Sequence, residues 1–367
     1  MMTVETVLLG DGVAAMSLAS VADQIPNHAL TVVRPNEAPE PHDHMLGFWK
    51  TEGLDFAAST ARASWSTWSI VTHETTARLS STDHAYHVMH KLAYLDRCRS
   101  AAASHDVTFT MDGTEPIQNG LVFDSRPPRP SPNAMLQHFH GLEVEIDRPV
   151  FDDSTAILMD FRVDQSQGMH FIYLLPFSKT RALVESTIFS TQPMHEAYYV
   201  DAIHAYLMEH HHAKVTNVHH EEKGIIPMGT LSPHDPSIPG LGANAGAIRP
   251  ASGYTFVFIQ QQIQRAIEDV NSGKPLRFKR PHKGIDVWMD KVLLVVLKHW
   301  PKHGPSMFSG MASRLTGDEF IRFMSGQATW RLRLKVMMTM PKWPFIRGVS
   351  KLMFQRPRKV VAWPHSI

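Results

Sequence analysis

Apolar and polar positions divide the chain into stretches of different periodicity. The opening TVETVLLGDGVAAMSLASVAD predicts a buried strand over Val4 to Leu9, a Gly-rich turn, and a helix whose small residues permit close packing. HALTVVRPNE follows as a second short strand, which makes a strand–helix–strand unit of the length that binds a dinucleotide. In the middle, LEVEIDRPVF, AILMDFRVD, MHFIYLLPFS and TRALVESTIFS are extended segments with partial period-two alternation. Four such segments in succession predict an antiparallel sheet forming a second layer or domain. TQPMHEAYYVDAIHAYLMEHHH then switches to helical spacing, with Tyr199, Ile203, Tyr206 and Leu207 on one face. GYTFVFIQQQIQRAIEDVNSG predicts another helix, striped by Phe256, Ile259, Ile263, Ile267 and Val270, with Gly273 just past its end. SRPPRPSPN reads as a loop, and GKPLRFKRPHKG as a boundary before a basic C-terminal part.

Composition narrows the class. The 367 residues are 43% apolar and 19% charged, enough for one large or two modest globular domains and too apolar for a disordered chain. One cysteine excludes an internal disulfide framework and a multi-cysteine zinc or iron–sulfur site. The longest aliphatic run, Val292 to Leu297, is six residues, against the roughly 20 that a membrane span needs. The first apolar run is too short for a signal-peptide core and lacks a basic flank, so a cytosolic protein is expected.

The formal net charge of +1 conceals a separation of signs. From Asn271 to the end there are 19 Lys and Arg against 4 Asp and Glu, and from Gln327 onward nine basic residues and no acidic one. Such asymmetry predicts a surface for a polyanion, either nucleic acid or acidic lipid head groups. No recognisable nucleic-acid module accompanies the basic segment, so no nucleic-acid partner is expected.

Candidate chemistry begins at the Gly-rich turn. Gly10 would make the tight turn, Gly12 would admit a pyrophosphate to the backbone, and Ala15 would let helix and strand pack, the helix N-terminus supplying N–H groups to the phosphates. An ordinary tight turn explains an isolated match equally well. At the end of the second strand, where an acidic residue commonly bonds a ribose, stands Arg34. The 23 histidines, notably His210 to His212 and His219 to His220, do not read as a metal site, because consecutive side chains at a helix end diverge. Cys98 reads as a small buried apolar residue, and Asp160 with Arg162 as a local ion pair.

Eight segments, in order, resemble the lycopene cyclases, a flavoprotein-fold family that closes the ends of linear carotenoids into rings. They are LLGDGVAA, LVFDSRPP (121–128), LQHFHGLEVE (136–145), LMDFRVDQ (158–165), FIYLLPFSKTRALVESTIFS (171–190), EKGIIPMG (222–229), GANAGAIRPASGYTF (242–256) and FIRFMSG (320–326). The resemblance implies an α/β fold in which an FAD/NAD(P)-binding Rossmann-like domain is interleaved with an antiparallel-sheet substrate domain and followed by a helical C-terminal part. The expected division is 1–135 for FAD binding with part of the substrate domain inserted, 136–230 mainly substrate domain, 231–275 a return to FAD binding, and 276–367 a basic, helical, membrane-associating region. Carried over by position, Gly10, Gly12 and Ala15 belong to the dinucleotide turn, Asp124 to a second flavin-contacting segment, and Gly242, Gly246 and Gly253 to a third. The helix after Gly253 would aim its positive end at an anionic reduced flavin.

The acid of LVEST is the expected catalytic residue. Leu183, Glu185 and Thr187 share one face of a strand, which sets Glu185 beside an apolar neighbour rather than among charges. Desolvation would keep such a carboxyl protonated near neutral pH. Family members often carry a second acidic residue at the next position, where this chain has Ser186. The reaction implied is lycopene beta-cyclisation: protonation of a terminal double bond, attack by its neighbour on the cation, and loss of a proton, with no net redox. Reduced FAD is the implied cofactor, with NAD(P)H as its reductant. The implied partners are an acyclic carotenoid and an anionic membrane surface, which TWRLRLKVMMTMPKWPFIRGVSKLMFQRPRK would meet from the inner, cytoplasmic side. An isoprenoid or carotenoid reductase or hydroxylase on the same fold is the alternative, and a non-catalytic isoprenoid carrier a third.

Overall fold

The computed structural model describes residues 3–111, 120–132 and 134–354. It divides into two compact units, each assembled from separate stretches of chain. The first takes the chain up to Arg62, then Val88–Ser131 and Thr230–Lys283; the second takes Ala63–His87, Pro132–Gly229 and the chain from Gly284 on.

In the first unit the strand Val4–Leu9 is followed by the helix Val13–Ala19 and the strand His28–Arg34, as the opening pattern predicts. Thr108–Met111, His28–Arg34, Val4–Leu9 and Leu121–Asp124 lie in that order in one sheet, all parallel. Parallel strands buried on both faces explain the near-continuous apolar runs. Ala14, Ala15, Met16, Leu18 and Ala19 of the helix are buried with the helices Lys91–Ala103 and Phe256–Asn271 in one core that includes Leu8, Tyr94, Cys98, Phe256 and Ile263. Its polar pin is Ser17, whose Oγ lies 2.8 Å from the Tyr94 hydroxyl and accepts from Gln260 Nε2 at 2.9 Å.

The second unit is built on a seven-stranded sheet in the order Val215–Pro227, Leu136–Ile146, Arg181–Ser190, Met169–Pro176, Thr155–Asp160, Thr67–Val71, Thr76–Ser80. The four predicted strands form its centre. The sheet is mixed rather than purely antiparallel, because Thr155–Asp160 pairs parallel with Thr67–Val71. Val215–Pro227 does not read as a strand because it lies at the sheet edge with most of its side chains exposed, so its sequence is polar where a central strand would be apolar. One face is covered by the helix Glu196–His211, whose Ile203, Tyr206 and Leu207 are buried with Val144, Ile172, Leu174 and Val184. Strand alternation sends Leu183, Glu185 and Thr187 to the opposite face. There Phe320, from the helix Gly317–Met324, meets Trp68, ring centroids 6.3 Å apart.

Candidate active site

In the first unit, Gly10 ends the first strand at φ +99° and Gly12 caps the helix from an extended conformation, with no side chain bonded to the helix N-terminus. A Cβ added to Gly12 would meet nothing within 4 Å, so the backbone there faces open space, the clearance a pyrophosphate needs. Ala15 is fully buried. Gly242, Gly246 and Gly253 take φ of +66°, +78° and +66° in the loop before the helix Phe256–Asn271, which begins with no side-chain cap at Thr255. Gly242 abuts the first helix: a Cβ on it would stand 2.3 Å from that of Ala14. The Gly-rich loop and the first turn are thus brought together by packing, although some 230 residues separate them.

Asp124 joins the same neighbourhood. Its backbone N–H donates to Pro239 O, its carbonyl accepts from Leu241 N–H and from Asn244 Nδ2, and its fully buried carboxylate is taken by Arg126 Nε at 2.9 Å and Nη2 at 3.0 Å. These bonds tie the end of the strand Leu121–Asp124 to the segment from Pro239 to Asn244. Arg34, at the ribose position, donates to Asp11 Oδ2 at 2.9 Å, so the second residue of the GDG turn balances its charge.

In the second unit, one row of the sheet carries the acid. Strand register aligns Glu222, Gly141, Glu185 and Tyr173 across four neighbouring strands. Glu185 is 9% and Glu222 4% exposed. Here an expectation is corrected: Glu185 faces a second carboxyl group, because the residue between the two strands is glycine. A Cβ on Gly141 would lie 3.1 Å from Glu222 Cγ and 3.3 Å from both Glu185 Cβ and Leu183 Cδ1, so the two acids border one notch with a leucine methyl. Burial pushes the Glu185 carboxyl up to about 7, with hydrogen bonds from Thr187 and Glu222 partly offsetting the rise. The Thr187 hydroxyl donates to Glu185 Oε1 at 2.5 Å. On its other side Tyr173 has its phenol raised well above the usual range by burial, Tyr86 and Glu185. Neither Glu222 nor Gly141 stood out by composition, yet both lie inside segments that carry the family resemblance.

Asp160 and Arg162 form the expected ion pair at 2.6 Å, and Tyr206 donates to the fully buried Asp160 at 2.9 Å. Cys98 is fully buried, its thiol pushed up to about 11 by desolvation, the state of a packed side chain rather than a nucleophile. On the helix-covered face, His140, Glu196 and Glu221 set one ligand atom each within 4.8 Å of one another, a grouping made by two paired strands and the helix over them and invisible in chain spacing. His140 Nε2 lies 3.1 Å from Glu221 Oε1, and Lys223 Nζ pairs with Glu196 Oε2 at 3.1 Å.

The basic C-terminal stretch forms the helices Trp330–Thr339 and Lys342–Phe354, and its residues from 355 on lie outside the described ones. Trp330, Leu334 and Met338, spaced four apart, are each more than half exposed, as are Trp343, Ile346, Met353 and Phe354 on the second helix. Arg331, Lys335, Arg347 and Lys351 are exposed beside them. No described helix is long and apolar enough to cross a membrane.

Comparison with known proteins adds the following. The family model described as lycopene cyclase protein matches residues 5–349. A lycopene beta-cyclase of Paracoccus sp. (strain N81106 / MBIC 01143) is 33% identical over 157 residues, 40% of this chain and 39% of that protein. A chloroplastic neoxanthin synthase of Solanum tuberosum is 31% identical over 134 residues, 33% of this chain and 27% of that protein. The chain thus matches well under half the length of these relatives. Among solved structures, a geranylgeranyl bacteriochlorophyll reductase-like protein from Thermoplasma acidophilum superposes with a TM-score of 0.58 at 12% identity, over 96% of this chain and 100% of that one. The flavin-dependent brominase Bmp2 gives 0.57 at 13% identity, over 96% and 99%. At such identities these likenesses show a shared fold.

Proposed function

Because the chain belongs to the lycopene cyclase family, we propose that it closes the psi ends of an acyclic carotenoid, lycopene in the first instance, into beta-ionone rings. The observation that carries this reading is Glu185: a carboxyl group desolvated on a sheet face, held protonated up to near neutral pH, with a Thr187 hydroxyl fixing its orientation. Such a group is an acid matched to pH 7. Glu185 gives its proton to the terminal double bond; the tertiary cation is attacked by the neighbouring double bond; a proton leaves the ring. Substrate and product are isomers, so the enzyme is an intramolecular lyase or isomerase with no net redox. Tyr173 and Phe171, on adjacent positions of the same face, offer aromatic rings to a transient cation.

FAD is the proposed cofactor, with NAD(P)H reducing it. Gly10, Gly12 and Ala15 would hold its pyrophosphate, and Gly242, Gly246 and Gly253 would approach its ring system, with Asp124 bracing the loops between. When bound in reduced form, the flavin supplies negative charge that favours a cation. We place the enzyme peripherally on an anionic membrane, on the cytoplasmic side. The two C-terminal helices support this by presenting tryptophan, leucine, isoleucine and methionine side chains among basic ones.

Expression in a lycopene-accumulating bacterium tests the reading. Wild type should convert the pigment to cyclic products of unchanged mass, and Glu185→Gln should leave lycopene. A mass gain of two hydrogens or one oxygen would replace the reading with a reductase or hydroxylase.

A further inference from the structure

We infer that Glu222 is the positioning residue of the acid: Glu185 and Glu222 hold one proton between them across the notch that Gly141 leaves in the strand separating them. The idea rests on the proposed role of Glu185 for its chemistry, while the juxtaposition stands on register alone. The two glutamates come from strands that are not neighbours, so in an ordinary sheet the intervening side chain would keep them apart. Gly141 removes that side chain, and the space is lined by the two acids together with Leu183 Cδ1. The adjoining row shows the contrast: a Cβ on Gly224 would lie 2.8 Å from Phe139 Cζ, so the gap there is filled by an aromatic ring.

Two carboxyl groups confined at this burial cannot both ionise cheaply, because desolvation and like charge oppose the second ionisation. The charged and titratable groups around them leave that proton in place. His220 Nε2 stands 3.8 Å from Glu222 Oε2, and His220 pairs in register with Glu143. Glu143, one step along the strand from Gly141, is taken by Arg181 Nε at 2.5 Å. Tyr173, beyond Glu185, stays neutral. Over a turnover the proton count closes: Glu185 gives the shared proton to the terminal carbon, leaving two carboxylates beside the cation, and the proton released from the ring carbon returns to the pair. Glu222 therefore aims Glu185 and shares in regaining the proton between turnovers, while burial keeps the pair protonated.

Infrared spectroscopy of the full-length protein tests this without relying on activity. At pH 6, above the usual carboxylate range, wild type should show a protonated carboxyl C=O band shifted by the hydrogen bond between the two acids. Glu222→Gln and Glu185→Gln should each lose it. Gly141→Ala, which wedges the pair apart, should weaken or lose it, with near-ultraviolet circular dichroism reporting that each variant is folded. In cyclase assays, Glu222→Gln should lower kcat and move the alkaline limb of its pH profile, with KM unchanged. Glu222→Asp should restore part of it. A wild type with no such band, or a Glu222→Gln variant that keeps both band and profile, overturns the inference. A protein that shows the shared proton yet forms no ring from any acyclic carotene keeps the pair and loses the cyclase reading.

Discussion

Arg333 and Asp286 face each other inside the second unit, 3% and 4% exposed, joined through Nε–Oδ1 at 2.7 Å and Nη2–Oδ2 at 2.9 Å. The pair ties the helix Trp330–Thr339 to the helix Gly284–His299 and sets which side of the former is turned outward. Removing one partner leaves the other charge buried and uncompensated. Arg333→Ala or Asp286→Ala should cost about 3–5 kcal/mol, while the double change to Met and Leu should recover most of it. Denaturant unfolding of the four proteins checks the cycle, and additive single losses would remove the pair from the account.

With Arg333 turned inward, Trp330, Leu334 and Met338 project outward on the same helix, near the arginines and lysines of both C-terminal helices. Apolar insertion and attraction to anionic lipid then act together. Flotation with phosphatidylglycerol-containing vesicles should carry the protein up. Neutral vesicles, or the variant Trp330→Ser/Leu334→Ser/Trp343→Ser/Ile346→Ser, should leave most of it behind. Equal flotation on neutral vesicles would remove the electrostatic contribution.

Glu185 titrates higher in the folded chain than its unfolded value of 4.5, so between about pH 4.5 and 7 the native state binds more protons than the unfolded state. Its contribution to stability is therefore present at low pH and lost as pH rises through 7. Glu185→Gln, which stays neutral, should gain stability relative to wild type by roughly 1–3 kcal/mol between pH 5 and pH 8. Urea titrations at the two pH values measure the difference, and a constant gap would contradict the buried acid.

His138 runs the other way. Burial lowers it to about 4, its ring lying 2.7 Å from the Tyr199 hydroxyl and 2.8 Å from Ser190 Oγ. Below pH 6.5 the unfolded chain takes a proton that the folded one refuses, so stability falls on acidification. His138→Gln should flatten that loss by about 2 kcal/mol between pH 6.5 and 4.5, read as the change in unfolding midpoint.

The proton that Glu185 delivers comes from a group in exchange with solvent, whereas carbon-bound hydrogens of the substrate are not. Cyclisation in heavy water should place one deuterium in each ring formed, visible as a one-unit mass increase per ring. Products without added deuterium in the first ring that each enzyme molecule forms, after prior equilibration of the protein in heavy water, would remove the acid step.

The local pattern carried the strand–turn–helix opening, because a buried parallel strand and a small-residue helix each write a signature over a few neighbouring positions. It carried the Tyr199–Leu207 and Phe256–Ile267 stripes for the same reason, and the basic, tryptophan-bearing C-terminal segment as composition. Glu185 was legible because one strand's alternation tells which side chains share its face. The second carboxyl group was not. Glu222 reaches Glu185 only after an edge strand of unpromising polarity pairs with Leu136–Ile146, and only because the residue between them has no side chain. Which residues meet across a sheet depends on the register of segments tens of residues apart, and register is a property of the assembled sheet, set when all its strands bury their apolar sides together.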